Sequence, residues 1–137
     1  MENFRVAVKS FIVKDNKLLL IKRRKDDIHK PEDWDIPGGR LGIGENPLEG
    51  LKRETKEEIN IDIEILLPFH VQHFVRDDGQ KITMIIFLCR PLGGGIKLSK
   101  EHTDYKWFDV SQKNSFPKWL KPVIDAFIKY KLNNAVA

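Results

Sequence analysis

The sequence is poor in cysteine and has no long hydrophobic run. Cys89 is its single cysteine, so no disulfide can form within the chain, and a buried thiol in a reducing compartment is expected. The longest apolar stretch, residues 84–89, is far shorter than the ~20 residues that cross a bilayer. The first residues also lack the apolar core of a signal peptide. We therefore expect a cytoplasmic protein without a membrane partner.

No internal repeat, low-complexity tract or linker divides the chain. Its 137 residues have the length of one domain, and 41% of them are hydrophobic and 32% charged, as is typical of globular proteins. A chain of this length buries roughly two-thirds of its surface without disulfides. The prediction is a single domain over residues 1–137.

The charge balance is moderately basic, with a formal net charge of +4 and a pI of about 9.2. This excess either serves general solubility or attracts a polyanionic substrate. The basic residues are scattered, and the aromatic residues do not alternate with them as a base-stacking surface requires. The pattern disfavours nucleic acid as a partner.

Hydrophobic periodicity and turn residues predict several strands and two helices. Pro68 should place its strand at a sheet edge or a kink, and Pro37-Gly38-Gly39 is expected to turn sharply. The predicted strands are 4–13 and 18–21 (a hairpin), 34–36, 61–75 and 81–90 (a second hairpin, turning at 77–79), 96–98 and 105–108; the helices are 47–59 and 116–132. These patterns alone give one domain of the α+β or α/β class.

The stretch richest in chemistry is a glycine-rich loop that leads into the first predicted helix. Asn46 and Pro47 are residue types that begin helices. On a helix, one apolar face is shared by Leu48, Leu51, Thr55 and Ile59.

Three glutamates, Glu54, Glu57 and Glu58, lie at i, i+3 and i+4 on the flank of that face. Like charges at these spacings cost roughly a few tenths of a kcal/mol per pair in an isolated helix. A divalent cation held between them would reverse the sign of this interaction, and carboxylate oxygens are ligands that suit Mg²⁺ or Mn²⁺. The simpler alternative is a solvent-exposed acidic face.

The same stretch contains glycine, arginine and glutamate at fixed offsets: Gly39, Glu45, Arg53, Glu54, Glu57 and Glu58. This spacing resembles the signature of the Nudix family, Gly-x5-Glu-x7-Arg-Glu-aliphatic-x-Glu-Glu-x-Gly-aliphatic. Thr55 replaces an aliphatic residue and Asn60 replaces the last glycine. We expect the fold to tolerate both, because the threonine methyl group can pack and asparagine tolerates a left-handed backbone. The segments 34–39 and 101–108 also resemble the family, so the resemblance covers nearly the whole chain.

The resemblance implies an α/β fold, an α/β/α sandwich in which a mixed sheet carries the Nudix helix on one side and is completed by a C-terminal helix. It also implies a MutT-like pyrophosphohydrolase that uses Mg²⁺, with Mn²⁺ as a substitute. Such an enzyme directs water at a phosphorus of a nucleoside diphosphate linked to another group, here a (d)NTP-type nucleotide.

The residue roles follow from the same resemblance. The expected metal ligands are Gly38 (through its carbonyl), Glu54, Glu57 and Glu58. Glu54 serves as a ligand or as the general base, and Arg53 orients a carboxylate. Glu101, by its place before the late strand, is a further catalytic candidate, with His102 and Asp104 as competitors.

Candidates for substrate binding are Arg23, Arg24 and Trp34. Relatives often carry a basic residue where Arg23 and Arg24 stand, although a solvated charge run explains both equally well. Trp34 could face a base, with core packing as the alternative.

A second hypothesis is a catalytically silent Nudix-fold protein that senses a nucleotide or RNA and regulates a partner. The complete set of Arg53, Glu54, Glu57 and Glu58 favours the enzyme, because binding alone does not require all four. The sequence leaves the base, the sugar and a homodimer open.

Overall fold

The computed structural model describes residues 3–29 and 31–136. It contains seven strands: β1 Phe4–Lys14, β2 Lys17–Arg23, β3 Trp34–Asp35, β4 Gly38–Arg40, β5 Asp62–Val75, β6 Lys81–Gly93 and β7 His102–Asp109. The α-helices are α1 Pro47–Ile59, α2 Lys121–Lys129 and α3 Asn133–Val136, with short 3₁₀ turns at Lys113–Ser115 and Lys118–Leu120. Within these residues, no helix has the length and hydrophobicity that crossing a membrane requires.

The strands form a mixed sheet in the order β3-β2-β1-β6-β5, with β4 also paired to β1 and β7 to β2. The β1–β6 pair is parallel, whereas β1 pairs antiparallel with both β2 and β4. The long β1 strand thus links the two parts of the sheet. As predicted, β5 is an edge strand, and its register shifts on both sides of Pro68.

Alternate residues of β1 enter separate hydrophobic clusters, because successive side chains of a strand point to opposite faces. Val8 and Ile12 pack with Leu51 and Ile59 of α1. Phe11 packs in a second cluster, together with Val123, Ile124 and Phe127 of α2. The mixed sheet therefore lies between α1 and α2, and the expected α/β/α sandwich is confirmed.

Helix α1 has the bounds that its capping residues predict. The Asn46 side chain accepts hydrogen bonds from the amides of Leu48 (2.9 Å) and Glu49 (3.2 Å). The helix ends at Asn60, whose φ of 63° is left-handed, as glycine would be at this position. The expected apolar face is shorter than predicted, because Leu48 is 49% exposed.

Thr55 occupies a polar contact inside the sandwich. Its hydroxyl lies 3.1 Å from the hydroxyl of Ser10 on β1, and both residues are buried. A buried hydroxyl needs a hydrogen-bond partner. The pair Ser10–Thr55 explains how the helix accepts threonine where an aliphatic residue was expected.

Two predicted elements differ from the structure for reasons of tertiary structure. The chain bends at Pro37, as predicted, but Gly38 and Gly39 then form β4, where they pair with Lys9 and Val8 of β1. Residues 96–98 are not a strand: the amides of Lys97 and Ser99 instead bond the carbonyls of Ile59 and Glu58 at the end of α1.

The predicted helix 116–132 is divided. A 3₁₀ turn over Lys118–Leu120 precedes α2, whose first turn contains Pro122. Proline lacks an amide donor and is tolerated in the first helical turn but not in a helix interior. The apolar periodicity correctly predicted helical structure in this segment, but it gave no sign of the break before α2.

Candidate active site

The carboxylates of α1 face a cavity of about 400 Å³ on the α2 side of the sheet. Glu54 and Glu58 line one wall, and residues of β1, β4 and β6 form its floor. Gly38, Arg23 and Glu101 also line it. The structure therefore brings together five of the residues that the sequence predicts for the site.

Glu58 is buried at the inner edge of this cavity, with 8% of its surface exposed. Its Oε1 accepts a 2.8 Å hydrogen bond from the amide of Gly38, and its Oε2 lies 3.7 Å from Nε2 of His102. Burial raises the pKa of the Glu58 carboxyl to about 8, although the nearby charge of Lys9 acts in the opposite direction. The site thus holds a carboxylate whose negative charge is only partly compensated.

Glu54 lies one helical turn earlier and is half-buried. Burial also raises the pKa of its carboxyl, against the opposing charge of Arg53. A Cβ atom added to Gly39 would lie only 3.1 Å from Oε2 of Glu54, so the glycine provides the space in which this carboxylate sits.

This pair of carboxylates fits Mg²⁺. Mg²⁺ typically takes one or two protein carboxylates and completes its shell with water and substrate phosphates. Glu54 and Glu58 are largely shielded from solvent, and the missing side chain of Gly39 leaves space beside Glu54, so the pair matches that requirement. Across the described part of the chain, however, no three aspartate, glutamate, histidine or cysteine side chains converge closely enough to enclose an ion without a substrate.

Glu57 is not part of the cavity wall, because Arg53 holds it on the exposed side of α1. The Arg53 guanidinium contacts Glu45 at 2.8 Å, Glu57 at 3.1 Å and Glu54 at 3.3 Å. These hydrogen bonds raise the pKa of Arg53. The pKa of Glu45 is lowered by Arg53 and by the amide of Gly42, which donates to Glu45 over 2.9 Å.

The basic candidates after β2 are separated by the structure. Arg23 lines the cavity and contacts Asp35 (2.8 Å) and Asp27 (3.2 Å). Arg24 is outside the residues that line it: its guanidinium contacts Asp26 and the carbonyl of Lys100. Arg23 is the last residue of β2, whose pairing with β7 shifts register between Lys22 and Arg23, and Arg24 lies beyond the strand.

Trp34 is also not brought to the cavity. Its ring packs against Phe108 with centroids 5.5 Å apart, next to the core cluster under α2. Glu101, in contrast, lines the cavity and is exposed, while its competitor His102 is buried next to Glu58.

Sequence reasoning missed the buried pair of Lys9 and Asp35, which lies on the cavity wall. Their side chains are 9% and 3% exposed and meet at 3.2 Å. The available signal was Arg5 and Lys9, which lie with Ala7 on one face of β1. Charged residues on one face of an otherwise apolar strand indicate that this face contacts polar partners. Arg5, Arg40 and Arg76 on the cavity wall were missed as well.

A second cavity of about 520 Å³ adjoins the first and is more apolar. Phe74, Met84 and Trp119 line both cavities, and His73 lines the second. The combined cleft therefore has a charged end at α1 and an aromatic end between β5 and the segment that precedes α2.

The sequence model of the NUDIX domain family matches residues 3–128. The chain is 31% identical over 111 residues to a MutT-like protein of Streptomyces ambofaciens, covering 79% of this chain and 68% of that protein. It is 33% identical over 115 residues to an ADP-ribose pyrophosphatase of Methanocaldococcus jannaschii (82% and 64%). It is 35% identical over 105 residues to an 8-oxo-dGTP diphosphatase of Buchnera aphidicola (77% and 77%).

The chain spans less than two-thirds of some curated relatives: 64% of the M. jannaschii protein and 28% of the human 8-oxo-dGDP phosphatase NUDT18. Among solved structures, the MutT protein of Methanosarcina mazei superposes with a TM-score of 0.84 at 23% identity, covering 95% of this chain and 96% of that one. The fold, the family match and these relatives agree. The chain belongs to the Nudix family of MutT-like hydrolases.

Proposed function

We propose that the chain is a Mg²⁺-dependent nucleotide pyrophosphohydrolase, with Mn²⁺ as a substitute metal, that acts on a nucleoside triphosphate. The observation that carries this proposal is the pair Glu54 and Glu58, two carboxylates with raised pKa values on the wall of one cavity. Burying charge in this way is unfavourable unless something compensates it, and groups of this kind cluster at functional sites.

In this proposal, Glu54, Glu58, the Gly38 carbonyl and Glu57 would hold the metal, and Glu57 would have to leave its contact with Arg53 to do so. Bound Mg²⁺ supplies charge neutralisation at the phosphate oxygens and a water of lowered pKa. Two of these ligands are assigned from their positions. Glu58 is held by a hydrogen bond from the Gly38 amide, and Glu54 occupies the space that Gly39 leaves.

The other residues position groups or move protons. Arg53 bridges Glu45, Glu54 and Glu57, so it fixes the orientation of Glu54 through charge-assisted hydrogen bonds. Glu101 at the rim is the candidate that takes a proton from the attacking water, with Glu54 as the alternative base. Arg23 faces the cavity and binds a phosphate; Arg24 and Trp34 have no part in this proposal.

The substrate assignment rests on the shape of the cleft. Phe74 and Trp119 offer aromatic surface for a nucleobase, next to the charged end where the phosphates would lie. The named activities of the relatives, an 8-oxo-dGTP diphosphatase and an ADP-ribose pyrophosphatase, support a nucleotide with a pyrophosphate linkage. We further propose that residues 1–137 act as one domain in the cytoplasm, without a membrane partner.

One observation favours the silent nucleotide sensor as a second candidate. Glu57 is tied to Arg53 and lies off the cavity wall, so the carboxylates do not converge without a ligand. A sensor would bind nucleotide in the aromatic end of the cleft and leave it intact.

A substrate panel separates the two candidates. It should contain (d)NTPs, oxidised purine nucleotides, ADP-ribose, nucleotide sugars, dinucleoside polyphosphates and capped RNA, with Mg²⁺ or Mn²⁺, and the nucleotide products should be separated by anion-exchange chromatography. The proposal predicts turnover of a triphosphate that EDTA abolishes. Binding of nucleotide without any release would favour the sensor.

A further inference from the structure

Three arginines lie on the cavity wall and have no place in the chemistry of the carboxylates. Arg5 belongs to β1, Arg40 to β4, and Arg76 follows β5. We propose that they form an anion subsite for the terminal phosphate of a nucleoside triphosphate. The identity of the nucleotide rests on the proposed function; the phosphate subsite itself can be tested without turnover.

The pairing of the strands places these three side chains on one face of the sheet. Arg40 lies opposite Ala7, and Arg5 is two residues before Ala7, so Arg5 and Arg40 are diagonal neighbours. Arg5 also lies opposite Ile82, which in turn lies opposite Phe74, two residues before Arg76. Three separate segments thus direct a guanidinium toward the same space.

The protein neutralises only part of the positive charge of the group, through Asp78. Arg5 donates to the carbonyl of Leu41, and Arg40 donates to Oε1 of Gln80 over 2.7 Å; both acceptors are neutral. Arg76 is paired with Asp78. No ion pair among residues 3–29 and 31–136 includes Arg5 or Arg40.

These guanidiniums are close enough to repel each other. Burial and the charges of Arg76 and Arg5 lower the pKa of Arg40. Holding three cations together with one carboxylate is unfavourable unless a ligand supplies negative charge. The other cations on the wall differ, because Lys9 and Arg23 already contact Asp35.

Phosphate is the anion that fits such a group. Guanidinium presents planar pairs of donors that match phosphate oxygens, and its charge is permanent. The subsite shares one cavity with Glu54 and Glu58. A phosphate in the subsite can therefore belong to the same triphosphate whose other phosphates lie near the two glutamates. A nucleoside triphosphate has enough phosphates to occupy both the arginine subsite and the space beside Glu54 and Glu58, whereas a nucleoside diphosphate has one phosphate fewer.

The cavity favours a small polyphosphate over RNA. An RNA-binding surface tracks a backbone along an extended basic stripe with aromatic residues interleaved. Here the arginines from three segments line one open cavity beside acidic residues. RNA is therefore an outcome of the test and not the proposal.

The test is calorimetric titration of the full chain, without divalent metal, with inorganic tripolyphosphate and with pyrophosphate. Arg40→Gln and Arg76→Gln are compared with Arg90→Gln, a matched control whose arginine pairs with Glu64 away from this cavity. We expect the wild type to bind tripolyphosphate more tightly than pyrophosphate. Without metal the carboxylate end holds no phosphate, so both anions bind through the arginines, and each cavity variant should lose about tenfold or more for both, with Arg90→Gln unchanged. Arg40→Lys should fall between Arg40→Gln and the wild type, because it keeps the charge and loses the planar pair of donors.

No weakening in the cavity variants, or equal weakening in Arg90→Gln, would overturn the subsite. A short single-stranded RNA with a 5′ hydroxyl that binds more tightly than tripolyphosphate, and depends on Arg40, would overturn it in favour of nucleic acid. Failure of the proposed function looks different: the wild type would release no product from any nucleotide, while the binding results with inorganic anions would stand.

Discussion

The amide of Gly38 donates a 2.8 Å hydrogen bond to the carboxylate of Glu58, and so joins β4 to the last turn of α1. A side chain at position 38 would exclude this arrangement: a Cβ there would lie 2.1 Å from the carbonyl oxygen of Val8, at a φ of 134° that favours glycine. The glycines before the helix are therefore required by the strand that carries them. They bring the backbone of β4 against a buried carboxylate, which is the arrangement that a metal site at this position needs.

Replacing Glu58 separates its catalytic role from its effect on stability. Glu58→Gln keeps the shape and removes the charge, so we expect Mg²⁺-dependent turnover to fall about a hundredfold or more. The metal-free variant should be at least as stable as the wild type, because burial disfavours the charged form that the wild type has to accommodate. Initial rates and thermal unfolding with EDTA measure the two effects.

Glu49→Gln is the matched control for this comparison, since Glu49 is exposed in the first turn of the same helix. It should leave the rate unchanged and lower stability by at most about 1 kcal/mol, because an acid in the first turn interacts favourably with the helix dipole. If Glu58→Gln were as active as the wild type, Glu58 would not be a metal ligand.

Glu101 is exposed at the cavity rim and makes no contact with Arg53, so its role can be tested independently. Glu101→Gln should slow turnover by about a hundredfold, the range that general-base catalysis contributes, and leave the affinity for Mn²⁺ unchanged. Stopped assays give the rate, and electron paramagnetic resonance of Mn²⁺ gives the affinity. A wild-type rate would leave Glu101 with only a structural role.

Gly39 can be tested through the space that it leaves for Glu54. In Gly39→Ala the new methyl group would lie 3.1 Å from a carboxylate oxygen, tighter than an ordinary contact. We expect the Mn²⁺ affinity to fall about tenfold as Glu54 is displaced, with a small change in stability. Gly95→Ala is the control, because a Cβ at that position meets nothing within 4 Å. Equal Mn²⁺ affinity in both variants would contradict the importance of this space.

Asn60 ends α1 in a left-handed conformation that costs a non-glycine residue energy. Asn60→Gly should raise the free energy of unfolding by a few tenths to about 1 kcal/mol, whereas Asn60→Ala should lower it by about 1 kcal/mol. Urea denaturation monitored by circular dichroism measures both. Higher stability in Asn60→Ala would contradict this explanation, because alanine adopts a positive φ no more easily than asparagine does.

The elements that the sequence predicts well are those whose signals are local. Asn46 and Pro47 determine the start of α1, and the left-handed residue Asn60 marks its end. The hairpin turn before Lys81 likewise depends on nearby residues, and it forms as expected. Residues 38–40 became a strand because β1 offers them a partner, and no property of the glycines themselves indicates that pairing.

Only the part of the site that lies within the sequence motif could be predicted. The offsets from Gly39 to Glu58 identify the helix that faces the cavity, but they do not show that Arg53 holds Glu57 outside it. Arg23 and Arg24 are indistinguishable in the sequence, and only the structure shows that Arg23 ends β2 and lines the cavity whereas Arg24 does not. Arg5, Arg40 and Arg76 are far apart in the chain, so their convergence requires the order of the strands.

The most direct test of the central claim is a titration of Mg²⁺ against the turnover of a deoxynucleoside triphosphate, with nucleotide binding measured in parallel for the wild type and Glu57→Gln. We predict that wild-type hydrolysis rises from zero with Mg²⁺ and saturates. Glu57→Gln should fold normally, bind nucleotide and hydrolyse it slower by orders of magnitude. Equal rates for the two proteins would contradict the assignment of Glu57. Nucleotide binding without Mg²⁺-dependent hydrolysis in the wild type would contradict the enzyme and identify a sensor.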